Sequence, residues 1–495
     1  MSSTPSLLGR AFLAIALMIG FYAFALTIAA VLLYLPYAEV VYAHRIHFKL
    51  LVFCVVGAGI ILWSIVPRPD RFVPPGPRLE PGQLPRLFNE LTGIAKAVRQ
   101  PMPAEVFLVP DVNAWVTQRG GVMGFGSRPV MGLGLPLLQI LTVTQLCAVL
   151  AHEFGHYYGG DTKVGPWIYK TRGAIGRTLG GLAKQTSILL YPFLWYGKMF
   201  LRVTHAISRR QELTADALAS RTVGSRPLIE GLRAIHGAAL AYPAYWSSEV
   251  SPVLGAGFHP PLAEGFGRFV NTGPIAEAVS QSIDAELKGA KPDPYDTHPP
   301  LRERIAAVEN LPGGRPRTPD PPAITLLENG YELETRLLTA LIGGRQAQPF
   351  KPVMWENVGT QVYLPGWEDL VRENASVLAG ATPGSLPELS KNLAEVGGKM
   401  SHPPRAWPSS DEKGQAAVRL MGAALAVALN KHGWVLHSLP GELYFQRGDS
   451  RIEPFVVILQ LASGDLKADA WREQCVTAGI SDLKLNDIAP AQQEA

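Results

Sequence analysis

Cysteine is scarce in this chain. Cys54, Cys147 and Cys475 are its three, far apart and without a C-x-x-C pair. That argues against both a disulfide framework and a thiolate zinc site, and it fits a reducing compartment. Charge is scarce as well: 17% of residues are charged against 47% hydrophobic, a balance tilted toward membrane contact. The net charge of +4 is too small, and its sources too scattered, for a nucleic-acid partner. There is no repeat at solenoid spacing. A chain of 495 residues leaves room for roughly two to four domains.

The apolar excess is concentrated at the N-terminus. No charged side chain occurs from Ala11 to Ala38, a run long enough to span a bilayer with tilt. Leu50 to Val66 is a second uncharged run, with Lys49 and Arg68 placed to snorkel at its ends. The first run is too long for the apolar region of a signal peptide and is followed by another span, so a two-helix anchor is expected, about 11–36 and 49–66. Arg10 before the hairpin and Arg68, Arg71 and Arg78 after it outnumber Arg45 and Lys49 between the spans. The positive-inside rule then puts both ends, and the domain that follows, in the cytoplasm.

Beyond the anchor, Phe72 to Pro85 is a proline-rich exit, Leu84 to Val98 reads as a helix and Glu105 to Val109 as a strand. Between Asp111 and Pro136, glycines and short apolar runs suggest hairpins or edge strands. "SILLYPFLWYG", Ser187 to Gly197, is too short to cross a bilayer alone and reads as a core or interfacial segment. Leu311 to Pro322 is the clearest linker, and His402 to Ser410 is another proline-rich break. A helix from Glu412 to Lys431 leads into a hairpin turned at Gly448-Asp449, where the R-G-D tripeptide is most simply turn chemistry.

The chemistry is carried by "AVLAHEFGHYYGGD", Ala148 to Asp161. Thr142 to Gln145 reads as a capping box that opens a helix. Leu146, Val149 and Leu150 recur at helical spacing, and Gly159-Gly160 supplies a stop. On such a helix His152 and His156 share one face and can aim ring nitrogens at one ion. Glu153 is offset from that face, which suits a base acting on water rather than a ligand. The plainer reading is a buried helix with two satisfied histidines, and a third ligand is what separates the two. "SRRQELTADALAS", Ser208 to Ser220, offers Glu212 and Asp216 on one helical face, with alanines that permit close approach of another helix. Glu212 would complete a His₂Glu zinc site, and Asp216 would orient one of the histidines.

H-E-x-x-H followed by E-x-x-x-D behind membrane spans resembles the membrane zinc endopeptidases that include the heat-shock protease HtpX and the CAAX prenyl proteases, metallopeptidase family 48. "PDVNAWV" (Pro110 to Val116) and "THPPLRERI" (Thr297 to Ile305) resemble two further segments of that family, and the likeness covers about Phe72 to Asn310. Between Gly160 and Glu212 the chain departs from HtpX in having no pair of full spans. The resemblance implies that Asn113 binds substrate backbone, that a strand near Val130 to Leu135 pairs with an extended peptide, and that His298 and Arg304 lie near the scissile carbonyl. His259-Pro260-Pro261 lacks the flanking threonine and arginine and is a decoy.

The expected fold is α+β and mainly helical. It comprises a two-helix anchor (1–71), a zincin-like catalytic domain with a small edge-strand sheet (72–310), a linker (311–322), a helical region (323–401) and a small α+β domain (411–495). The expected activity is zinc-dependent peptide hydrolysis at a membrane, on unfolded or membrane-associated polypeptides, with one zinc per chain and quality control as its setting. The rival is a zinc-bearing scaffold or chaperone, against which an intact Glu153 argues.

Overall fold

In the computed structural model the described residues are 7–66, 72–120, 126–158, 161–184, 188–289, 298–314, 317–342, 350–400 and 410–487. Gly159-Gly160, Thr297 and most of the 402–410 break lie outside them. The chain is mainly helical with small sheets, α+β as its patterning suggests. It divides into two units, one of residues 1–240 and 278–345, the other of 241–277 and 346–495.

The first unit opens with α1 (Leu7–Ala43) and α2 (Phe48–Ile65), both long and apolar enough to cross a membrane. They leave Phe12, Ile19, Leu33, Val52 and Trp63 exposed, a surface that water would not favour. Two further helices, α6 (Asp161–Ala183) and α7 (Leu190–Thr222), join them in a single apolar cluster. Phe193 and Tyr196 of α7 pack on Phe21 and Phe24 of α1, and the Tyr196 hydroxyl donates to the Leu17 carbonyl at 2.7 Å. Arg177 of α6 donates to the Ser64 carbonyl in the last turn of α2, where an intrahelical partner is missing. The aromatic run from Leu189 to Gly197 is therefore the start of α7 and its junction, seated against α1 and α2.

A four-stranded sheet follows. Its strands are β1 (Arg78–Leu79), β2 (Glu105–Val109), β3 (Ala114–Arg119) and β4 (Arg128–Gly134), in the order β1-β2-β4-β3. Here one expectation is corrected. The strand at Val130 is interior, paired in parallel with β2 and antiparallel with β3, so its backbone is occupied on both sides. The sheet's edges are β1 and β3, and β3 packs beside helix α5 (Val143–Tyr158), which follows α3 (Pro85–Ala97) and the short α4 (Leu135–Ile140) in the chain. Composition misled because the interior strand is glycine-rich: Gly132 lies under the Trp115 ring, where a side chain would collide, and Gly134 faces the Asp111 and Asn113 carbonyls.

The described residues between 311 and 322 are fastened down. The Pro312 and Leu311 carbonyls receive the Ser225 N–H and hydroxyl, Arg317 forks onto Glu90 at 2.8 and 3.0 Å, and the Pro321 carbonyl accepts from Val143 N–H. The second unit is built around the alanine-rich helix Ser410–Lys431, buried along most of its length. Beside it is a meander of strands Val435–Leu439, Glu442–Arg447 and Ser450–Ile452, whose last turn is Gly448-Asp449 as its sequence suggests.

Candidate metal centre

Helix α5 begins as its sequence predicts. Thr142 N–H donates to Gln145 Oε1 at 3.1 Å and Gln145 N–H to Thr142 Oγ1 at 3.3 Å, the reciprocal capping box. One more orphan donor, Thr144 N–H, is taken by Asp320 Oδ1 at 3.0 Å. The helix then runs through Leu146, Leu150 and Phe154, all buried, and presents His152 and His156 on one face. A ligand atom from each of His152, Glu153 and His156 lies within 4.8 Å of the others.

Helix α7 supplies the second wall. Gly155 allows it to come close: a Cβ there would sit 3.1 Å from both Cα and Cβ of Ala215. At this spacing Glu212 reaches between the histidines. Its two oxygens lie 3.4 Å from His152 Nε2 and 3.5 Å from His156 Nε2. Nitrogen and oxygen ligands at about 2.0–2.1 Å from a tetrahedral ion stand about 3.3–3.4 Å apart, so each of these two nitrogen–oxygen pairs has about the separation of two ligands of one ion. Both carboxylates, Glu153 and Glu212, are near the pair, but only Glu212 comes this close to both rings. Its Oε2 is buried and, among the described residues, receives no directed hydrogen bond. An all-nitrogen-and-oxygen set of two imidazoles and a carboxylate suits zinc.

A second layer holds this set in place. His152 Nδ1 is 2.9 Å from Asp216 Oδ1, which leaves Nε2 facing Glu212. Asp216 is fully buried and is gripped in turn by Arg304, Nη2 to Oδ1 at 2.7 Å and Nε to Oδ2 at 2.8 Å. Arg304 comes from the helix Leu301–Val308, and its guanidinium also lies 3.4 Å from His152 Nδ1. Two of its five donors are thus spent on Asp216, and Nη2 also stands 3.7 Å from Glu212 Oε2. His298, just ahead of that helix, is mostly exposed, with Nδ1 3.2 Å from Glu212 Oε2. Asn113 is exposed at the start of the edge strand β3, with its carbonyl on Gly134 N–H at 2.9 Å.

Charges here are strongly coupled. Burial pulls the His152 pKa down, but Asp216 and Glu212 outweigh it and raise it to about 9. Burial works against ionised Glu212 and Asp216 too. The rings of His152 and His298 still hold Glu212 well below the usual carboxylate range, and Arg304 with His152 does the same for Asp216. Glu153 goes the other way: burial raises its pKa, opposed by the two histidines.

The profile of peptidase family M48 matches residues 80–311, a span that contains every one of these groups. Over that span, just under half of its length, the chain is similar to peptidase family M48. Among its curated relatives is a "Protease HtpX homolog" of Tropheryma whipplei (strain TW08/27), 26% identical over 249 residues that make up 46% of this chain and 72% of the relative. Proteins of the same name from Pseudarthrobacter chlorophenolicus and Desulfatibacillum aliphaticivorans are 27% and 25% identical, over 47% and 50% of this chain and 74% of each relative. No solved structure matches. The M48 likeness ends near Leu311, so most of the second unit has no counterpart in it.

The Arg304–Asp216 pairing is the part of the site that motif reading missed. The two are 88 residues apart, and nothing in their spacing signals a fork between them. A buried aspartate one turn after a ligand glutamate is the only hint, since such a charge needs a partner.

Proposed function

We propose that this chain is a membrane-anchored zinc endopeptidase that cuts extended polypeptide segments lying close to the bilayer. The observation that carries the reading is the convergence of His152, His156 and Glu212 at ligand separations, with Glu153 alongside. A bound zinc ion supplies a Lewis acid for the scissile carbonyl and makes water acidic enough to ionise near neutrality.

The chain's own residues do the rest. Glu153 takes the proton from the attacking water and returns it to the leaving amine, and its burial-raised pKa suits a group that must both accept and release a proton. Asp216 fixes the His152 ring, and Arg304 fixes Asp216, so both act as positioning residues. His298, on the exposed side of Glu212, is the cationic or hydrogen-bonding group placed to meet the substrate. Substrate backbone adds to the edge of β3, guided by Asn113 where that strand begins. Strand addition reads main chain and not side chains, so sequence preference is weak and unfolded segments are favoured. That preference fits quality control of membrane proteins.

We further propose that α1 and α2 are the two full spans, with the catalytic domain on the cytoplasmic side. The start of α7, where Ile188, Tyr191 and Trp195 are exposed, dips into the lipid beside them. The test is cleavage of an unfolded casein-type substrate by the purified protein in detergent. Activity abolished by a zinc chelator and restored by zinc supports the reading, and chelator-insensitive cleavage contradicts it.

A further inference from the structure

A cavity of about 680 Å³ lies within the second unit, apart from the metal centre and independent of the peptidase reading. Much of its wall is aromatic. Trp367 stacks on Tyr363, with ring centroids 5.7 Å apart, and meets Phe455 at 5.5 Å; Phe269 and Ile275 extend the apolar lining. Two of the segments that build it are π-helical turns, Trp246–Val250 and Gly359–Tyr363. Such turns are rare, and they recur at functional positions because they push one side chain out of helical register.

Both π turns contribute polar groups to the same spot. Glu249 and Ser248 come from the first and Tyr363 from the second, and the Tyr363 hydroxyl donates to Glu249 Oε2 at 3.5 Å. Oε1 accepts from the Gly441 N–H at 3.3 Å, while the Ser248 hydroxyl, 3.4 Å away, has its one proton on the Ala244 carbonyl at 2.8 Å. All three donor groups are neutral, and all three contacts to the carboxylate are long. Among the described residues no lysine or arginine pairs with Glu249. The carboxylate is therefore poorly compensated where it stands, and burial raises its pKa accordingly. Further along the lining stand Glu442, Arg419 and Glu453, the last paired with Arg451 at 2.9 Å, so that with Glu249 the carboxylates still exceed the cations by one.

We propose that this cavity is a binding site for an organic cation, an ammonium or guanidinium group carried on an apolar body. The charge sits at Glu249 and the body lies against Trp367 and Phe455. A cation supplies what the three neutral donors do not, and aromatic faces attract it as well. Its volume is that of a small-molecule pocket. An anion is disfavoured by the excess of carboxylates, and a neutral apolar molecule leaves Glu249 buried and uncompensated. Two sources share this chemistry, a free amine and a basic side chain of a polypeptide.

Equilibrium dialysis or calorimetry on the full-length protein in detergent tests the proposal. The probes are phenethylamine, its neutral analogue 2-phenylethanol, and a short peptide carrying arginine or, as the neutral control, citrulline. Saturable binding of phenethylamine, or of the arginine peptide alone, supports the site and assigns its source. The neutral analogue is expected to bind at least about tenfold more weakly, and Glu249→Gln to lose a similar factor for the cation. Glu153→Gln leaves cation binding unchanged. If Glu249→Gln does not fold, the amine-to-alcohol comparison on the unaltered protein decides alone. Equal binding of charged and neutral probes, or saturable binding of neither cation, overturns the proposal.

Discussion

Arg304 holds Asp216 with a two-nitrogen fork, 2.7 and 2.8 Å, while the same carboxylate receives His152 Nδ1 at 2.9 Å. A chain of three side chains from three elements thus fixes one imidazole. Asp216→Asn keeps the shape but removes the charge and one of the two acceptor oxygens, so the fork to Arg304 and the hold on His152 cannot both stay intact at full strength. Metal affinity is expected to fall roughly 10–100-fold, read by competition with a chromophoric chelator. Arg304→Lys keeps the charge but loses the fork, and should fall between the two. Unchanged affinity in Asp216→Asn would show that the second layer does not tune the site.

Gly155 sets the distance between α5 and α7. A valine there must push against Ala215, whose Cα and Cβ stand 3.1 Å from the new Cβ. The expected cost is about 1–3 kcal/mol of stability, with metal binding weakened more than the helix content. Thermal melting with and without zinc separates the two effects. A variant that melts and binds as the parent does would mean the helices have slack.

Metal binding should depend on pH in a stated direction. The ring of His152 must lose its proton to act as a ligand, and in the metal-free protein Asp216 and Glu212 hold that proton up to about pH 9. Affinity for zinc therefore rises with pH below that value, by about tenfold per unit from this ring alone, and levels off above it. Titrations from pH 6 to 9.5 are the check. An affinity flat across this range would mean that His152 is already neutral.

Asp320 is 176 residues from Thr144 yet accepts the N–H at the start of α5. Asp320→Ala leaves that donor without its partner and should destabilise the first unit by about 1 kcal/mol, the usual worth of a helix cap. The shift is expected in the melting temperature and not in metal stoichiometry. No shift would mean that water replaces the carboxylate at no cost.

Local pattern was readable where local physics decides. The capping box at Thr142, the two long apolar helices, the strand Glu105–Val109 and the Gly448-Asp449 turn follow from neighbouring residues, and they form where those residues place them. Pairings across the fold were not readable. Which strand lies at the sheet edge depends on β3 and β2 both choosing β4, and no periodicity within β4 expresses that choice. The Arg304–Asp216 fork was hidden for the same reason, since the two partners are on different helices. The second unit takes residues 241–277 from the middle of the first, a crossing unmarked by any change in composition. The cavity at Glu249 depends on that crossing, since its two π turns belong to segments more than a hundred residues apart.

The most direct measurement is proteolysis and metal content of Glu153→Gln beside the unaltered protein. Gln keeps the size and leaves His152, His156 and Glu212 untouched, but it cannot take a proton from water. The account predicts one zinc per chain in both proteins and a loss of casein cleavage of roughly 10²–10⁴-fold in the variant. Cleavage retained at the parent rate, by a variant that still holds its zinc, would contradict it.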